Sequence, residues 1–231
     1  MKFMKFDKYS LKARIIPAFF SIIIPIMIFN NFYISEELYK FMDNVLFAKF
    51  VSNISMFLIC LYYLSEAGRF ISKNIFEKIY FKDEMYMPTT NYLLFQNTKY
   101  SSSFKKRIHN KVLSDFGIKL LSSKKEILDE NEARRKIVET MALIRKKLRK
   151  NAFLVQHNIE YGAMRNTIGG SVLGALFSIF NIIFFKFYFE SNLAVYISIS
   201  TLIIYLLFII FSKVIVNFYG NNYAKIIYRE Y

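Results

Sequence analysis

The chain has 231 residues, 55% of them hydrophobic and 19% aromatic, yet 32 Lys+Arg stand against 17 Asp+Glu for a formal net charge of +15. A soluble domain would fold so much apolar material into one core, whereas here residues 15–35, 50–65, 166–185 and 191–212 form blocks without a single charged side chain. That distribution excludes an ordinary soluble enzyme, and the seven Gly and three Pro exclude collagen-like repeats and low-complexity disorder.

A hydrocarbon core about 30 Å thick needs roughly 20 helical residues to cross it. The blocks predict transmembrane helices at 15–35, 44–65, 166–186 and 191–212, with Lys49 of the second reaching a membrane surface by snorkelling. The short connections 36–43 and 186–190 make two hairpins. Pro17 suits a first helical turn, while Pro25 near mid-membrane removes a backbone bond and kinks the first helix, as a static bend or as a hinge. Lys2, Lys5, Lys8, Lys12 and Arg14 precede that helix, whereas the loop after it carries Glu36, Glu37 and Asp43 against Lys40. By the positive-inside rule both termini and the central segment face the cytoplasm. The first apolar run exceeds a signal-peptide core and has no small-x-small cleavage site after it, so it is expected to be retained.

Residues 66–165 hold 21 Lys+Arg and 11 Asp+Glu and are long enough for a small domain. Phe70, Ile71, Ile75, Phe76 and Ile79 keep helical spacing beyond the second membrane helix, until MPTTN at 87–91 breaks the pattern at Pro88. A second helix is predicted from a cap at Ser101–Ser103 to a stop at Gly117. A third begins near Ser122 or later, with Ile137, Met141, Ile144, Leu148, Val155 and Ile159 as one stripe leading directly into the third membrane helix. The fold expected is therefore an all-α membrane protein: a basic amino terminus (1–14), a first transmembrane hairpin (15–65), a basic helical cytoplasmic domain (66–165), a second hairpin (166–212) and a cytoplasmic tail (213–231).

Two clusters carry the basic charge of the insert: Lys105, Lys106, Arg107, His109 and Lys111, and then Arg145, Lys146, Lys147, Arg149 and Lys150, with Arg134, Arg135 and Lys136 on the same helix. They are read either as a solvated, lipid-facing surface or as a phosphate-binding site for a polyanion. Arg69 leaves the second membrane helix and Arg165 enters the third, either as interfacial anchors or as couplers of ligand occupancy to helices that move. Tyr161, one turn before Arg165, suits base stacking, core packing or an aromatic belt. In the third membrane helix Gly170 and Gly174 form a GxxxG spacing that admits a close neighbour. Asn53, Ser55, Ser178, Asn181, Ser198, Ser200 and Thr201 offer interhelical hydrogen bonds or a wet pore lining.

Catalytic chemistry is scarce. No G-x-x-x-x-G-K-[ST], G-x-S-x-G or H-E-x-x-H is present. His109 and His157 are the only histidines and Cys60 the only cysteine, which excludes an intrachain disulfide and a cysteine-rich zinc site. Glu126, Asp129, Glu130 and Glu132 favour a helix start. Neither an enzyme nor a cofactor is expected.

The stretches YSLKARIIPAFFSIIIP at 9–25, AGR at 67–69, MPTT at 87–90 and HNIEYGAMRN at 157–166 resemble those of small bacterial transmembrane α-helical effectors of anti-phage defence, the Hailong membrane effector among them. The resemblance implies a homo-oligomeric channel, a tetramer by analogy, encoded beside a nucleotidyltransferase. It also implies that single-stranded oligodeoxyadenylate holds the channel closed and that ligand loss depolarises the membrane. Tyr161, Gly162, Arg165 and Asn166 match, and Arg69 more loosely, but Asn91, Leu94 and Asn97 stand where the family pattern after PTT carries an RxxR arrangement and a following Asp. The ligand contacts expected are thus Arg69, Lys105, Lys106, Arg107, Lys111, Arg145, Lys146, Arg149 and Arg165. The rival expectation is a membrane scaffold whose basic domain binds anionic lipid or a partner; a small transporter is weaker, since no membrane-embedded carboxylate or inverted repeat is evident.

Overall fold

The computed structural model describes residues 8–29, 32 and 61–231, all helix, turn or loop with no strand among them. Among the described residues three helices are long and apolar enough to cross a membrane: Leu11–Phe29, Ala152–Phe187 and Asn192–Ile210. The second expected span, 44–65, and the loop 36–43 lie outside the described residues except for 61–65, which are helical. In chain order the described elements are α1 (8–29), α2 (61–81), α3 (Pro88–Asn91), α4 (Ser102–Phe116), α5 (Ser123–Leu128), α6 (Glu130–Lys147), α7 (Ala152–Phe187), α8 (Asn192–Ile210) and α9 (Ser212–Glu230). The chain divides into two compact units, Met1–Phe76 with Gly162–Ile215 and Glu77–Tyr161 with Val216–Tyr231.

In the first unit the helices meet through small residues and main-chain oxygens. Pro17 and Pro25 have no N–H, so the carbonyls of Ala13 and Ser21 lose their regular partners in α1. The helix widens there into π-helical stretches, Leu11–Ile15 and Phe19–Ile23, the second immediately before the distortion expected at Pro25. Neighbours take up the main-chain oxygens of α1: Asn166 Nδ2 donates to Ala13 O at 2.6 Å, and Asn181 Nδ2 to Pro25 O at 2.8 Å. Asn166 also accepts from Ser72 Oγ of α2 at 3.1 Å, so one buried amide joins three helices.

Glycine sets the approach distance. A Cβ at Gly169 would collide with the Gly68 carbonyl of α2, and one at Gly174 with the Ser21 carbonyl of α1 and, at 2.8 Å, with the Tyr205 ring of α8. The GxxxG glycine Gly174 and its neighbour Gly169 therefore serve different helices. Ser178 and Thr201 share a hydrogen bond of 3.2 Å between α7 and α8, and Phe29 packs against Phe180, Phe184 and Phe185. Leu176, Phe180 and Ile183 of α7 and Ile203, Leu207 and Ile210 of α8 point outward, as a lipid-facing surface would.

The second unit is built on an ordinary aromatic and aliphatic core: Leu93, Leu94, Ile108, Val112, Ile137, Met141, Ile144 and Leu154 close around Tyr223, Ala224, Ile227 and Tyr228 of α9 and around Tyr231, just past its end. The segment read as a tail thus supplies core side chains. Tyr228, fully buried, donates its hydroxyl to Thr89 O within the MPTT stretch, and burial pushes its pKa well above 10. α2 stops at Phe81, before Pro88, because Lys82, Asp83 and Glu84 have positive φ angles of 42, 55 and 70°; Pro88 instead opens α3.

The second expected helix has the bounds read from its caps: Ser101 Oγ accepts from Phe104 N at 3.2 Å, and Gly117 ends α4 with φ 68°. The third is corrected. In place of one long helix running into the membrane, α5, α6 and α7 follow with breaks at Asp129 and at 148–151. Asp129 Oδ1 accepts from Glu132 N, and Asn151 Oδ1 from Leu154 N, both at 2.9 Å, so each break carries its own cap. The run of like charges from Arg145 to Lys150 disfavours continuing the helix past α6. After the break the buried stripe shifts to Leu154 and Ile159, and Val155 turns outward.

Candidate anion-binding cleft

In the second unit the face of α4 bearing Ser102, Lys106, His109, Asn110 and Leu113 opens onto a cleft of about 920 Å³, closed on its other sides by Phe95, residues 119–123, Lys125 and, from α6, Glu132 and Lys136. Helical spacing of four, three, one and three puts those α4 side chains on one face. Lys106, Lys119 and Lys125 have no ion-pair partner among the described residues, and Lys136 only meets Glu132 at 3.7 Å. Four lysines therefore face one carboxylate across a concave surface, an arrangement that attracts anions.

The cleft wall is braced from inside. Lys105, one residue from Lys106 and only 1% exposed, donates its ammonium to Phe95 O at 3.4 Å and to Asn97 O. Glu126, beside Lys125, accepts from Phe95 N at 2.9 Å and Gln96 N at 3.0 Å. The 95–97 loop is thus gripped on its carbonyls by a cation and on its amides by an anion. Burial lowers the Lys105 pKa, and the Glu126 charge opposes that shift.

His109 also lines the cleft. Its ring packs edge-on against Phe95 with centroids 4.9 Å apart, and Nε2, buried, makes no hydrogen bond. Burial pulls its pKa below 6.5 against the raising effects of a hydrogen bond to the Leu93 backbone and of Glu126, with Lys105 adding to the depression.

The expected contact residues separate. Lys106 lines the cleft, and Lys105 braces it in place of reaching solvent. Arg107 lies over the Phe104 ring at 5.1 Å. Lys111 donates to Tyr231 O and lies over that ring at 4.8 Å. Arg145 pairs with Glu84 at 2.6 Å. Lys146 and Arg149, with Lys147, Lys150, Leu143 and Phe116, line a shallower depression of about 520 Å³, where Lys147 pairs with Asp115 at 2.6 Å. Arg69 and Arg165 belong to the first unit, Arg69 pairing at 3.0 Å with Glu66, which also meets Arg14 at 3.4 Å, and Arg165 being 7% exposed.

Arg134, read as part of a solvated basic face, is a buried strut: it donates to Glu130 at 2.7 Å, to Met85 O at 2.8 Å and to Asn91 Oδ1 at 2.6 Å. Asn91, where the family pattern differs, therefore has a structural partner, and Leu94 lies in the core. Tyr161 packs in this unit, its ring stacked on Tyr223 at 6.2 Å and its hydroxyl 3.1 Å from Glu77 Oε1. Lys136 is marked in sequence by the run Arg134–Lys136, whereas Lys119 and Lys125 are not picked out, because they lie on other segments and share no common period with it. In comparison with known proteins, no family model, no curated protein and no solved structure matches this chain.

Proposed function

We propose that this chain is a multi-pass effector of the bacterial inner membrane that assembles as a homo-oligomer, forms a pore, and is controlled by a phosphate-bearing ligand on its cytoplasmic side. The observation that carries this reading is the lysine cleft, where Lys106, Lys119 and Lys125 have no ion-pair partner among the described residues, in a chain whose described residues also include three membrane-length helices. The ligand proposed from the sequence resemblance is single-stranded oligodeoxyadenylate, supplied by a nucleotidyltransferase encoded nearby, with the bound state closed and the free state depolarising the membrane in anti-phage defence. Control of this kind requires that the ligand bind the closed state more tightly than the open one; moving a population from 1:99 to 99:1 takes about 10⁴-fold.

Binding of fluorescent oligodeoxyadenylate to the purified full chain tests the reading. Four lysine contacts to a single strand give a slope of about −3 in log K against log salt. Lys106→Glu with Lys125→Glu is expected to lower affinity at least tenfold and flatten that slope. Unchanged affinity and slope would remove the cleft from the ligand site. A second reading, a scaffold held on anionic lipid, is favoured by the shallow basic depression at Lys146–Lys150. It predicts binding to anionic vesicles without ion flux.

A further inference from the structure

Two hollows of the second unit are built on the same pair of helices. The cleft takes Ser102, Lys106 and Leu113 from α4 with Glu132 and Lys136 from α6, and the shallower depression takes Phe116 from α4 with Leu143, Lys146 and Lys147 from α6. On α4, Phe116 follows Leu113 by three residues; on α6, Leu143 and Lys147 follow Lys136 by seven and eleven. Each helix therefore turns one face to both hollows. The helices run in the same direction: their early turns meet at the cleft, and near their ends Lys147 pairs with Asp115 at 2.6 Å and lies over the Phe116 ring at 6.0 Å. Ile108 and Val112 of α4 share a core with Ile137, Met141 and Ile144 of α6, which holds that alignment. The cleft and the depression are successive along one groove.

Helix rise gives their spacing. Phe116 lies ten residues after Lys106 and Lys147 eleven after Lys136, which at about 1.5 Å per residue is about 15 Å. The charge is alike at both ends. Lys106, Lys119 and Lys125 have no ion-pair partner among the described residues at one, and Lys146, Arg149 and Lys150 have none at the other. Between them the groove is not basic, because Glu139 is exposed on the same face of α6, between Lys136 and Leu143. An anion small enough to sit at one end gains nothing from the other. A strand with phosphates about 3.4 Å apart covers that distance with about five of them.

We propose that the depression is a second subsite for the ligand of the cleft, so that the ligand class is a linear polyanion of about five or more phosphates and not a mononucleotide or dinucleotide. This rests on the phosphate-ligand reading of the cleft. Joining two subsites through one strand raises affinity by about a hundredfold with the contacts at each subsite unchanged. It also steepens the salt dependence. At about −0.7 per contact, a strand held by the four cleft lysines has a slope of about −3, and one that adds Lys146, Arg149 and Lys150 has about −5. Lys147 adds nothing because Asp115 already holds it.

Equilibrium binding of fluorescein-labelled oligodeoxyadenylates, from the dinucleotide to the dodecanucleotide, to the purified full chain tests the proposal. Affinity should step up about a hundredfold at about five nucleotides, with the steeper salt slope appearing at the same length. Lys146→Glu with Lys150→Glu, both at exposed positions, should erase the step and leave dinucleotide binding as in the native chain, which also reports that the variant is folded. Glu139→Gln should tighten only the strands long enough to span, by about twofold. Lys106→Glu with Lys125→Glu should weaken every length. A native chain that shows no step, or a depression variant that binds every length as the native chain does, would overturn the proposal and leave the cleft reading standing. Loss of binding to anionic phospholipid vesicles in that variant, with strand binding intact, would overturn it in favour of a lipid at the depression. A cleft variant that binds every length as the native chain does would overturn both.

Discussion

The two units hold helices together by different means. In the unit with the membrane-length helices, contacts are made by what side chains lack: Gly68, Gly169 and Gly174 let backbones touch, and Asn166 and Asn181 bond to main-chain oxygens of α1. In the other unit, contacts are made by what side chains bring: a tyrosine-rich core, and charges spent inward by Lys105, Glu126 and Arg134. The difference follows from solvent. Lipid gives apolar helices no hydrophobic reason to associate, so close packing and hydrogen bonds must do it. Water gives the basic unit a reason to bury its aromatic residues and leaves surplus lysines at the surface.

The contrast can be broken first at the buried charges. Glu126→Ala leaves Lys105 without its counter-charge and two amides of the 95–97 loop without an acceptor, and is expected to cost about 3–5 kcal/mol. Thermal unfolding followed by circular dichroism would show it, whereas a loss under 1 kcal/mol would mean that the loop is held by other contacts. Next comes the glycine approach. Gly174→Leu pushes α7 from Ser21 and Tyr205, and overpacking of this sort costs about 1–3 kcal/mol. Cysteine pairs placed across α1 and α7 should lose their crosslinking on this substitution and keep it in Glu126→Ala. Asn166→Ala should be milder, about 1 kcal/mol, because hydrogen bonds between membrane helices average well under that each. Resistance to SDS denaturation measures it.

The smallest effect expected is one of pH. Because the fold depresses the His109 pKa below 6.5, the unfolded chain binds the proton more readily. Its contribution to stability is intact above pH 6.5 and is lost as pH falls toward the depressed value. Anion binding should run the other way, since protonation adds a fifth positive charge beside the four lysines. Melting temperature and oligonucleotide affinity measured from pH 7.5 to 5 should therefore move in opposite directions in the native chain. Both trends should flatten in His109→Gln.

Much of this was legible in the chain. Uncharged blocks mark the membrane-length helices, and Ser101 and Gly117 mark α4 because a cap and a stop are local signals. Local signals fail where a long-range partner decides. Lys105 and Lys106 are adjacent and chemically identical in sequence, yet one grips the 95–97 loop and the other faces the cleft; only the rotation of α4 against Phe95 and Glu126 separates them. Arg134 follows the same rule, buried because Met85 O and Asn91 wait opposite it. The break at 148–151 was hidden because the apolar stripe passes through it with little change of period, while its cause, the cap at Asn151, resembles any other polar residue. Lys119, Lys125 and Lys136 converge on the cleft from three segments, which no window along the sequence can register.

The central claim is that an anion in the lysine cleft controls a membrane pore. The most direct measurement is ion flux from liposomes holding the purified chain, with and without oligodeoxyadenylate, compared between the native protein and Lys106→Glu with Lys125→Glu. The account predicts flux in both proteins without ligand, and suppression by micromolar ligand in the native protein alone. Equal suppression in both, or no flux from the native chain under any condition, would contradict it.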